Sequence, residues 1–240
     1  MSDAPVPQSW PVLSLVERRV LGVLIEKQKT TPDVYPMSLN ALVTGSNQKS
    51  NREPVLNLSG DEVEETLQGL QRQALATRVD SGRVEKWRHL LYEAWNVSKE
   101  EIAIVAELLL RGPQTEGELR SHVSRLEPVA DLDALRALLR PMSDRGLVVY
   151  LTREGRRGTM LTHGFHSPDE LERLRTRSAH ESVADDPPRP RAAAVDPDRL
   201  AALSARVDEL AAGQAELRES LAALQAQVRA LHEASGRTPP

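Results

Sequence analysis

Six consecutive polar residues form the stretch of this chain that is best suited to bind a partner. They are Asn47, Gln48, Lys49, Ser50, Asn51 and Arg52. Asn and Gln match the hydrogen-bonding edge of adenine, Arg matches that of guanine, and Lys and Ser bind phosphate oxygens. The same amides could instead satisfy backbone groups of a loop between two helices. Both interpretations, a nucleic-acid contact and a structural loop, stay open at this stage.

Basic side chains also surround two predicted hairpin turns. The first turn lies at residues 80–83 between β-prone runs, and the cations around it are Arg78, Arg83, Lys86 and Arg88. The second turn lies at residues 153–158 and carries Arg153, Arg156 and Arg157. These cations are candidates for phosphate contacts if the hairpins approach nucleic acid. A solvated hairpin is the simpler alternative.

Residues suited to enzymatic chemistry are sparse. The chain has no Cys, which excludes disulfides, thiolate catalysis and Cys-ligated zinc. His163 and His166 have a spacing found in metal sites, but no third ligand is evident, and an ordinary loop after a strand is the alternative. No Gly-rich phosphate loop and no Ser/His/Asp order is identifiable. We predict a protein that is not an enzyme and that uses no metal or cofactor.

Carboxylates at the start of two predicted helices oppose the simplest mode of DNA binding. They are Asp61, Glu62, Glu64 and Glu65 in one helix and Asp131 and Asp133 in the other. Acidic residues are stabilising at a helix N-terminus because the helix dipole is positive there. In a helix-turn-helix protein, however, this part of the recognition helix enters the major groove, where carboxylates would face phosphates. Contacts are therefore expected from the polar loop and the turns.

Four capping boxes mark helices that must position these residues. The pairs are Ser14–Glu17, Ser59–Glu62, Ser98–Glu101 and Thr115–Glu118. Apolar residues at helical spacing follow each box, and a hairpin follows each group of three helices. Pro141 falls inside the third predicted helix of the second group and is expected to kink that helix or end it early. Trp87 and Trp95 are expected to pack in the core.

The repeated order of elements predicts a mainly α fold with small β-hairpins (α+β), arranged as two tandem winged helix-turn-helix domains. We expect a flexible N-terminal arm at 1–13 and the two domains at 14–96 and 97–166. A charged, proline-rich linker is predicted at 167–197, a coiled-coil helix at 198–233 and a disordered tail at 234–240.

The C-terminal helix has a heptad pattern that predicts dimerisation. Its a and d positions are Leu200, Leu203, Val207, Leu210, Gln214, Leu217, Leu221, Leu224, Val228 and Leu231. Such a narrow apolar seam needs a partner, and Leu at every d position favours a parallel dimer of this chain with itself. A lone helix folded back on the hairpins is the alternative. The sequence leaves open whether the partner helix comes from another protein.

Charge and hydropathy limit the other classes of partner. Lys and Arg number 31 and Asp and Glu number 35, which gives a net charge of −4. A strong nonspecific nucleic-acid binder is usually basic, so any contact with DNA is expected to be local. No signal peptide and no apolar run of membrane-spanning length is present, so we predict a cytoplasmic protein without membrane contacts.

Several short motifs in the first predicted domain identify a family resemblance. The motifs are Glu26-Lys27-Gln28, Thr30-Thr31-Pro32-Asp33, Tyr35-Pro36, Ser38-Leu39-Asn40-Ala41-Leu42 and Asn47-Gln48-Lys49-Ser50-Asn51-Arg52-Glu53-Pro54. This run closely resembles the YceH-like family of uncharacterised bacterial proteins, and the likeness extends more loosely to about residue 165. The resemblance implies two winged-helix domains in tandem and no established activity.

The leading prediction for function is a non-enzymatic DNA-binding regulator that dimerises through its coiled coil. The polar loop and the arginines of the turns would contact DNA. The alternative is an adaptor whose winged helices bind another protein. Near-neutral domains and acidic third helices favour that alternative.

Overall fold

The computed structural model describes residues 10–80, 84–156 and 158–184. This part of the chain is a mixed α+β protein, mostly helical, with two small antiparallel sheets. The helices are α1 (Leu15–Thr30), α2 (Leu39–Ser46), α3 (Gly60–Arg72), α4 (Leu91–Trp95), α5 (Lys99–Arg111), α6 (Glu116–Val123), α7 (Leu132–Asp144) and α8 (Pro168–Ala184). The strands are β1 (Met37–Ser38), β2 (Ala76–Asp80), β3 (Glu85–His89), β4 (Gln114–Thr115), β5 (Val148–Tyr150) and β6 (Met160–His163).

Side-chain caps begin the helices where the sequence predicted them. Ser14, Ser59, Ser98 and Thr115 each accept a hydrogen bond from the backbone three residues later, and the Glu at that position bonds back to the cap. These reciprocal bonds satisfy two of the backbone N–H groups that a helix start leaves free. The predicted capping boxes are confirmed.

One order of elements occurs twice along the chain. The first repeat, residues 15–89, runs from α1 through β1, α2 and α3 to the β2–β3 hairpin. The second repeat, residues 99–163, runs from α5 through β4, α6 and α7 to the β5–β6 hairpin. In each sheet, the two-residue strand before the second helix pairs with the last strand of the hairpin, giving the orders β1-β3-β2 and β4-β6-β5. The hairpins were predicted, whereas the two-residue strands were not.

The two repeats share one hydrophobic core. Helices α1 and α5 form the largest helix–helix contact, and their buried residues belong to one continuous cluster. Gly22 permits this approach, because a methyl group placed there would lie 2.8 Å from the Leu110 Cγ. The predicted boundary between residues 96 and 97 therefore separates the repeats in sequence without separating two cores.

An aromatic cluster packs on the core where the described part of the chain begins. Trp95 and Phe165 stack with ring centroids 4.5 Å apart, and Trp10 packs edge-on against both. The Trp10 indole also donates to the Arg145 carbonyl at 2.6 Å. Trp10 and Leu13 thus pack against the protein, whereas Pro11 and Val12 are exposed, and the first nine residues of the predicted arm lie outside the described part. Leu13 is fully buried because it faces this same cluster.

Two further predictions concern the proline of α7 and two tryptophans. Pro141 does not end α7, which continues to Asp144. The proline lies in the last turn and lacks the N–H that would bond to the Ala137 carbonyl, so α7 continues past it with one backbone hydrogen bond fewer. Trp87 and Trp95 are buried as predicted. Residues 185–240, including the predicted coiled coil, lie outside the described residues.

Candidate nucleic-acid interface

The polar loop between α2 and α3 is tied to the body of the protein by Arg52. We call residues 47–58 the strap. The Arg52 guanidinium is fully buried and donates to both carboxylate oxygens of Glu26 on α1, at 3.2 and 2.5 Å. Its remaining N–H groups donate to the carbonyls of Gly45 and Asn51 and to the Gln48 side chain. All five donors of Arg52 are therefore used internally, which removes this residue from the candidate nucleic-acid contacts.

Three other polar residues of the strap also bond within the protein. The Asn47 amide donates to the Leu58 carbonyl at 2.8 Å and accepts from the Leu58 N–H at 2.7 Å, closing the strap at its base. Asn51 accepts from Arg111 of α5 at 2.5 Å. For Asn47, Gln48 and Asn51 the geometry therefore matches the structural alternative. Lys49 and Ser50 are exposed and remain candidates.

Arg19 on α1 binds the residue just before the strap and Pro54 within it, and this role was not predicted from the sequence. Its guanidinium donates to the Ser46 carbonyl at 2.9 Å and to the Pro54 carbonyl at 2.6 Å. Burial, and then the nearby Arg52, lowers the pKa of Arg19 to about 10. A signal was present, because Arg19 lies one turn before Val23, on the apolar side of α1. A cation on a buried stripe indicates an internal partner.

The first hairpin offers few free cations. Arg78 and Glu85 form an ion pair of 2.6 Å across the hairpin, and both side chains are more than half exposed. Lys86 is half-buried on β3, and Arg88 is exposed on the same strand. Arg83 lies outside the described residues. This hairpin therefore presents Arg88 most openly.

The second hairpin combines with α7 to form a groove lined by cations. The groove has a volume of about 320 Å³ and is lined by Arg136, Ala137, Arg140, Glu154 and Gly155. Of the predicted arginines in the adjoining turn, Arg153 and Arg156 are exposed, whereas Arg157 lies outside the described residues. Three cations of this face, Arg140, Arg153 and Arg156, are exposed, whereas Arg136 is paired with Glu116 and Asp133 and Glu154 adds a carboxylate.

Arg136 and Arg140 were missed from the sequence because they lie within a helix and not in a loop or turn. They are four residues apart and therefore share one face of α7. Arg136 is fixed by two hydrogen bonds, of 2.9 and 2.8 Å, to one carboxylate oxygen of the buried Glu116. Arg140 is exposed at the groove. Their i, i+4 spacing on the polar face of an amphipathic helix was the signal that could have identified them.

The corresponding helix of the first repeat, α3, is more acidic than α7, which carries Asp133 and Asp144 beside its two arginines. Asp61, Glu64 and Glu65 are exposed along α3, and Arg72 is the basic residue at its far end. Glu62 is occupied in the capping box, and its bonds to Ser59 lower the pKa of its carboxyl. The predicted acidic surface of α3 is thus present, so the third helices of the two repeats present different electrostatic surfaces.

The two histidines with metal-like spacing are part of the packing of α8. The His163 and His166 rings stack with centroids 3.9 Å apart. Arg18 lies 2.6 Å from His166 Nδ1 and 2.8 Å from the Glu170 carboxylate. Burial is the main cause of a lowered pKa at both histidines. Across the described ranges, no three His, Cys, Asp or Glu side chains are grouped closely enough to hold a metal ion.

Comparison with known proteins identifies the family. Residues 13–157 match the profile described as "Protein of unknown function, DUF480". A UPF0502 protein of Pelobacter propionicus is 49% identical over 156 residues, which cover 63% of this chain and 71% of the relative. One from Geobacter sulfurreducens is 44% identical over 188 residues, which cover 72% of this chain and 86% of the relative. The chain belongs to the DUF480 family. This result confirms the resemblance to an uncharacterised bacterial family.

The DUF480 match covers the parts of the chain that form the candidate interface. It begins at Leu13, includes the strap and the first hairpin, and ends in the turn after β5. The groove between α7 and that turn lies within it. Among the described helices of this DUF480 protein, none is both long and apolar enough to cross a lipid bilayer.

Proposed function

We propose that this protein binds DNA through two tandem winged-helix domains, with the main contact at the groove between α7 and the β5–β6 turn. The observation that carries the proposal is the groove that Arg136 and Arg140 of α7 line together with a turn whose Arg153 and Arg156 are exposed. Guanidinium groups on a helix and on an adjacent loop are well suited to the spaced phosphates of a nucleic-acid backbone.

The order of elements supports the winged-helix assignment. In each repeat three helices precede a hairpin, and a short strand before the second helix completes a three-stranded sheet. In this interpretation α3 and α7 occupy the position of the recognition helix and the hairpins are the wings. The acidic α3 is unsuited to approach phosphates, whereas α7 carries two arginines beside its wing. The second domain therefore makes the main contact.

The predicted coiled coil extends this proposal to a dimer. Two copies of the groove on one dimer would contact two segments of the same duplex, which raises the effective affinity without new contacts. The proposed role is that of a non-enzymatic, DNA-binding regulator in the cytoplasm. It requires no cofactor, because phosphate contacts need only cationic side chains and backbone N–H groups.

The salt dependence of DNA binding tests this proposal. We expect the full-length chain to bind fluorescently labelled genomic fragments at low salt, with an affinity that falls as salt rises. Arg140→Ala and Arg153→Ala each remove one proposed phosphate contact, so each should reduce the steepness of the log–log slope by about 0.9. Arg173→Ala, an exposed arginine on α8, is the matched control and should leave the slope unchanged. Absence of binding to any fragment at low salt would overturn the proposal.

The second candidate function is a protein adaptor, and the exposed carboxylates of α3 favour it. Asp61, Glu64 and Glu65 form a surface that attracts a basic protein more readily than DNA. An adaptor should retain a stoichiometric protein partner after nuclease treatment. The triple variant Asp61→Asn/Glu64→Gln/Glu65→Gln should lose that partner and keep any DNA affinity. A chain that binds DNA and retains no protein partner would support DNA binding alone.

A further inference from the structure

The strap makes hydrogen bonds to helices of both repeats. On the side of the first repeat, Glu26 and Arg19 of α1 bind Arg52 and the carbonyls of Ser46 and Pro54. On the side of the second repeat, the Glu53 N–H donates to the Leu110 carbonyl at 2.9 Å. The bonds of Arg52, Glu53 and Pro54 lie in consecutive residues of one loop, so the strap connects α1 to the C-terminal end of α5.

Arg111 strengthens the connection to the second repeat. Its guanidinium donates to Asn51 Oδ1 at 2.5 Å and to the Glu107 carboxylate at 2.9 Å. Asn51 has a φ of 60°, in the left-handed region, which turns its side chain within reach of α5. Asn tolerates this conformation better than most residues. The backbone bond of Glu53 and the side-chain bond of Asn51 thus attach neighbouring residues of the strap to neighbouring residues of α5.

Arg52 determines whether these two residues can reach α5. Its buried guanidinium binds the Asn51 carbonyl, the Gln48 side chain and Glu26 together. Loss of the pair with Glu26 would free the segment between Gln48 and Glu53, since Asn47 closes the base of the strap and Arg19 holds Pro54, outside that segment. The bonds to Leu110 and Arg111 depend on that segment.

We propose that the strap is a lock between the two repeats, held closed by the Arg52–Glu26 pair and released as a unit when that pair is broken. In the closed form the repeats move as one body. In the open form both repeats remain packed through α1 and α5, and only the C-terminal end of α5, with the α6 that follows it, becomes free to vary its position. This device is independent of whether the groove beside α7 binds DNA.

Distance measurements between the repeats test the lock directly. The chain contains no Cys, so spin labels attach only at introduced sites, and Gln68→Cys on α3 with Ser121→Cys on α6 places one exposed label in each repeat. We expect a single narrow distance distribution for the otherwise unchanged chain. It should broaden in Glu26→Gln/Arg52→Met, which removes both charges of the pair together. Circular dichroism should show that the helices of the variant persist.

Hydrogen exchange supplies a second measurement. The Glu53 amide, bonded to Leu110, should exchange at least tenfold faster in the double variant, while the amides of α1 and α3 keep their rates. Asn51→Gly removes only the bond to Arg111 and retains the backbone conformation, so it should give a smaller increase. Arg78→Ala, which breaks the exposed pair with Glu85, is the control and should change neither measurement.

Two outcomes would overturn the lock. One is a distance distribution that stays narrow in both the double variant and Asn51→Gly. The other is an increase in exchange that is uniform across the protein, which would indicate general destabilisation. If the double variant fails to fold, Glu26→Gln alone decides, because it weakens the ion pair and keeps the shape of the side chain. An unchanged Glu53 exchange rate in Glu26→Gln would then contradict the proposal.

Discussion

At the scale of single residues, two half-buried tyrosines place the same hydroxyl in different surroundings. Tyr35 accepts a hydrogen bond of 2.8 Å from the His89 N–H. The Tyr150 hydroxyl is buried and has no hydrogen-bond partner among the described residues. Burial raises the pKa of both phenols to about 12, so neither ionises near neutral pH.

We therefore predict different effects for the same substitution at these two positions. Tyr35→Phe leaves the His89 N–H without its acceptor and should lower the free energy of unfolding by about 1–2 kcal/mol. Tyr150→Phe removes an unsatisfied hydroxyl and should leave stability unchanged or raise it by about 1 kcal/mol. Urea unfolding of the two variants measures both changes in the free energy of unfolding. Equal destabilisation by the two variants would show that Tyr150 has a partner, such as an ordered water.

Buried histidines predict how stability depends on pH. His89 donates to Gln28 through Nε2 at 2.8 Å and accepts the Leu91 N–H at Nδ1, which requires the neutral ring. Burial, with the nearby Arg88 and Lys29, lowers its pKa from 6.5 to about 4. The unfolded chain binds the proton more readily between these values, so stability should fall as the pH drops from about 6.5 towards 4.

The expected loss from His89 at pH 5 is about 2 kcal/mol, and the pH dependence should be absent above pH 7. His166, whose pKa is also lowered to about 4, adds to the same window. Thermal unfolding at a series of pH values measures the effect, and His89→Gln should reduce its size. A wild-type protein equally stable at pH 5 and pH 7 would contradict the neutral, buried assignment of these rings.

At the scale of elements, the contact between α1 and α5 is limited by one glycine. We predict that Gly22→Ala destabilises the protein by about 1–3 kcal/mol, because its methyl group would overlap the buried Leu110 side chain. Gly69→Ala is the matched control in α3, where the nearest atom lies 3.7 Å from the new methyl group. It should stabilise the protein by about 0.5–1 kcal/mol through helix propensity. Stabilisation by both variants would show that α5 shifts freely relative to α1.

Elements specified by neighbouring residues were predictable from the sequence. The boxes at Ser59 and Ser98 follow from a pair of side chains three residues apart, and the hairpins follow from turn residues between β-prone runs. The strands β1 and β4 were missed, because two residues are too few to show an alternating pattern. Their pairing depends on β3 and β6, which lie far along the chain.

The role of the strap could not be read from local pattern for a related reason. Arg52 lies in a polar loop and has the same composition around it as an exposed phosphate-binding arginine. Its partner, Glu26, is on another element, and only the fold brings their side chains together. Arg136 was not predicted as a contact residue, because a helical arginine beside a hairpin turn becomes a candidate only once the groove is known.

At the scale of the whole molecule, we predict that the coiled coil sets the number of subunits. Deletion of residues 198–240 should convert a dimer into a monomer, because the heptad seam is the predicted dimer contact. Light scattering of the full-length and truncated chains at equal concentration measures the change. The truncated chain should keep its helical circular dichroism, since the described core ends before this segment. An unchanged mass after truncation would refute the assignment.

The core shared by α1 and α5 also has a consequence for synthesis on the ribosome. The first repeat is made before α5, so the apolar side of α1 remains uncovered until residues 99–111 have left the exit tunnel. At about 5–20 residues per second, the roughly 80 residues from the end of α1 to the end of α5 take about 4–16 s to synthesise. During that time the nascent chain presents an apolar surface to chaperones and to neighbouring nascent chains. Slow translation between the two repeats would therefore increase aggregation of this protein.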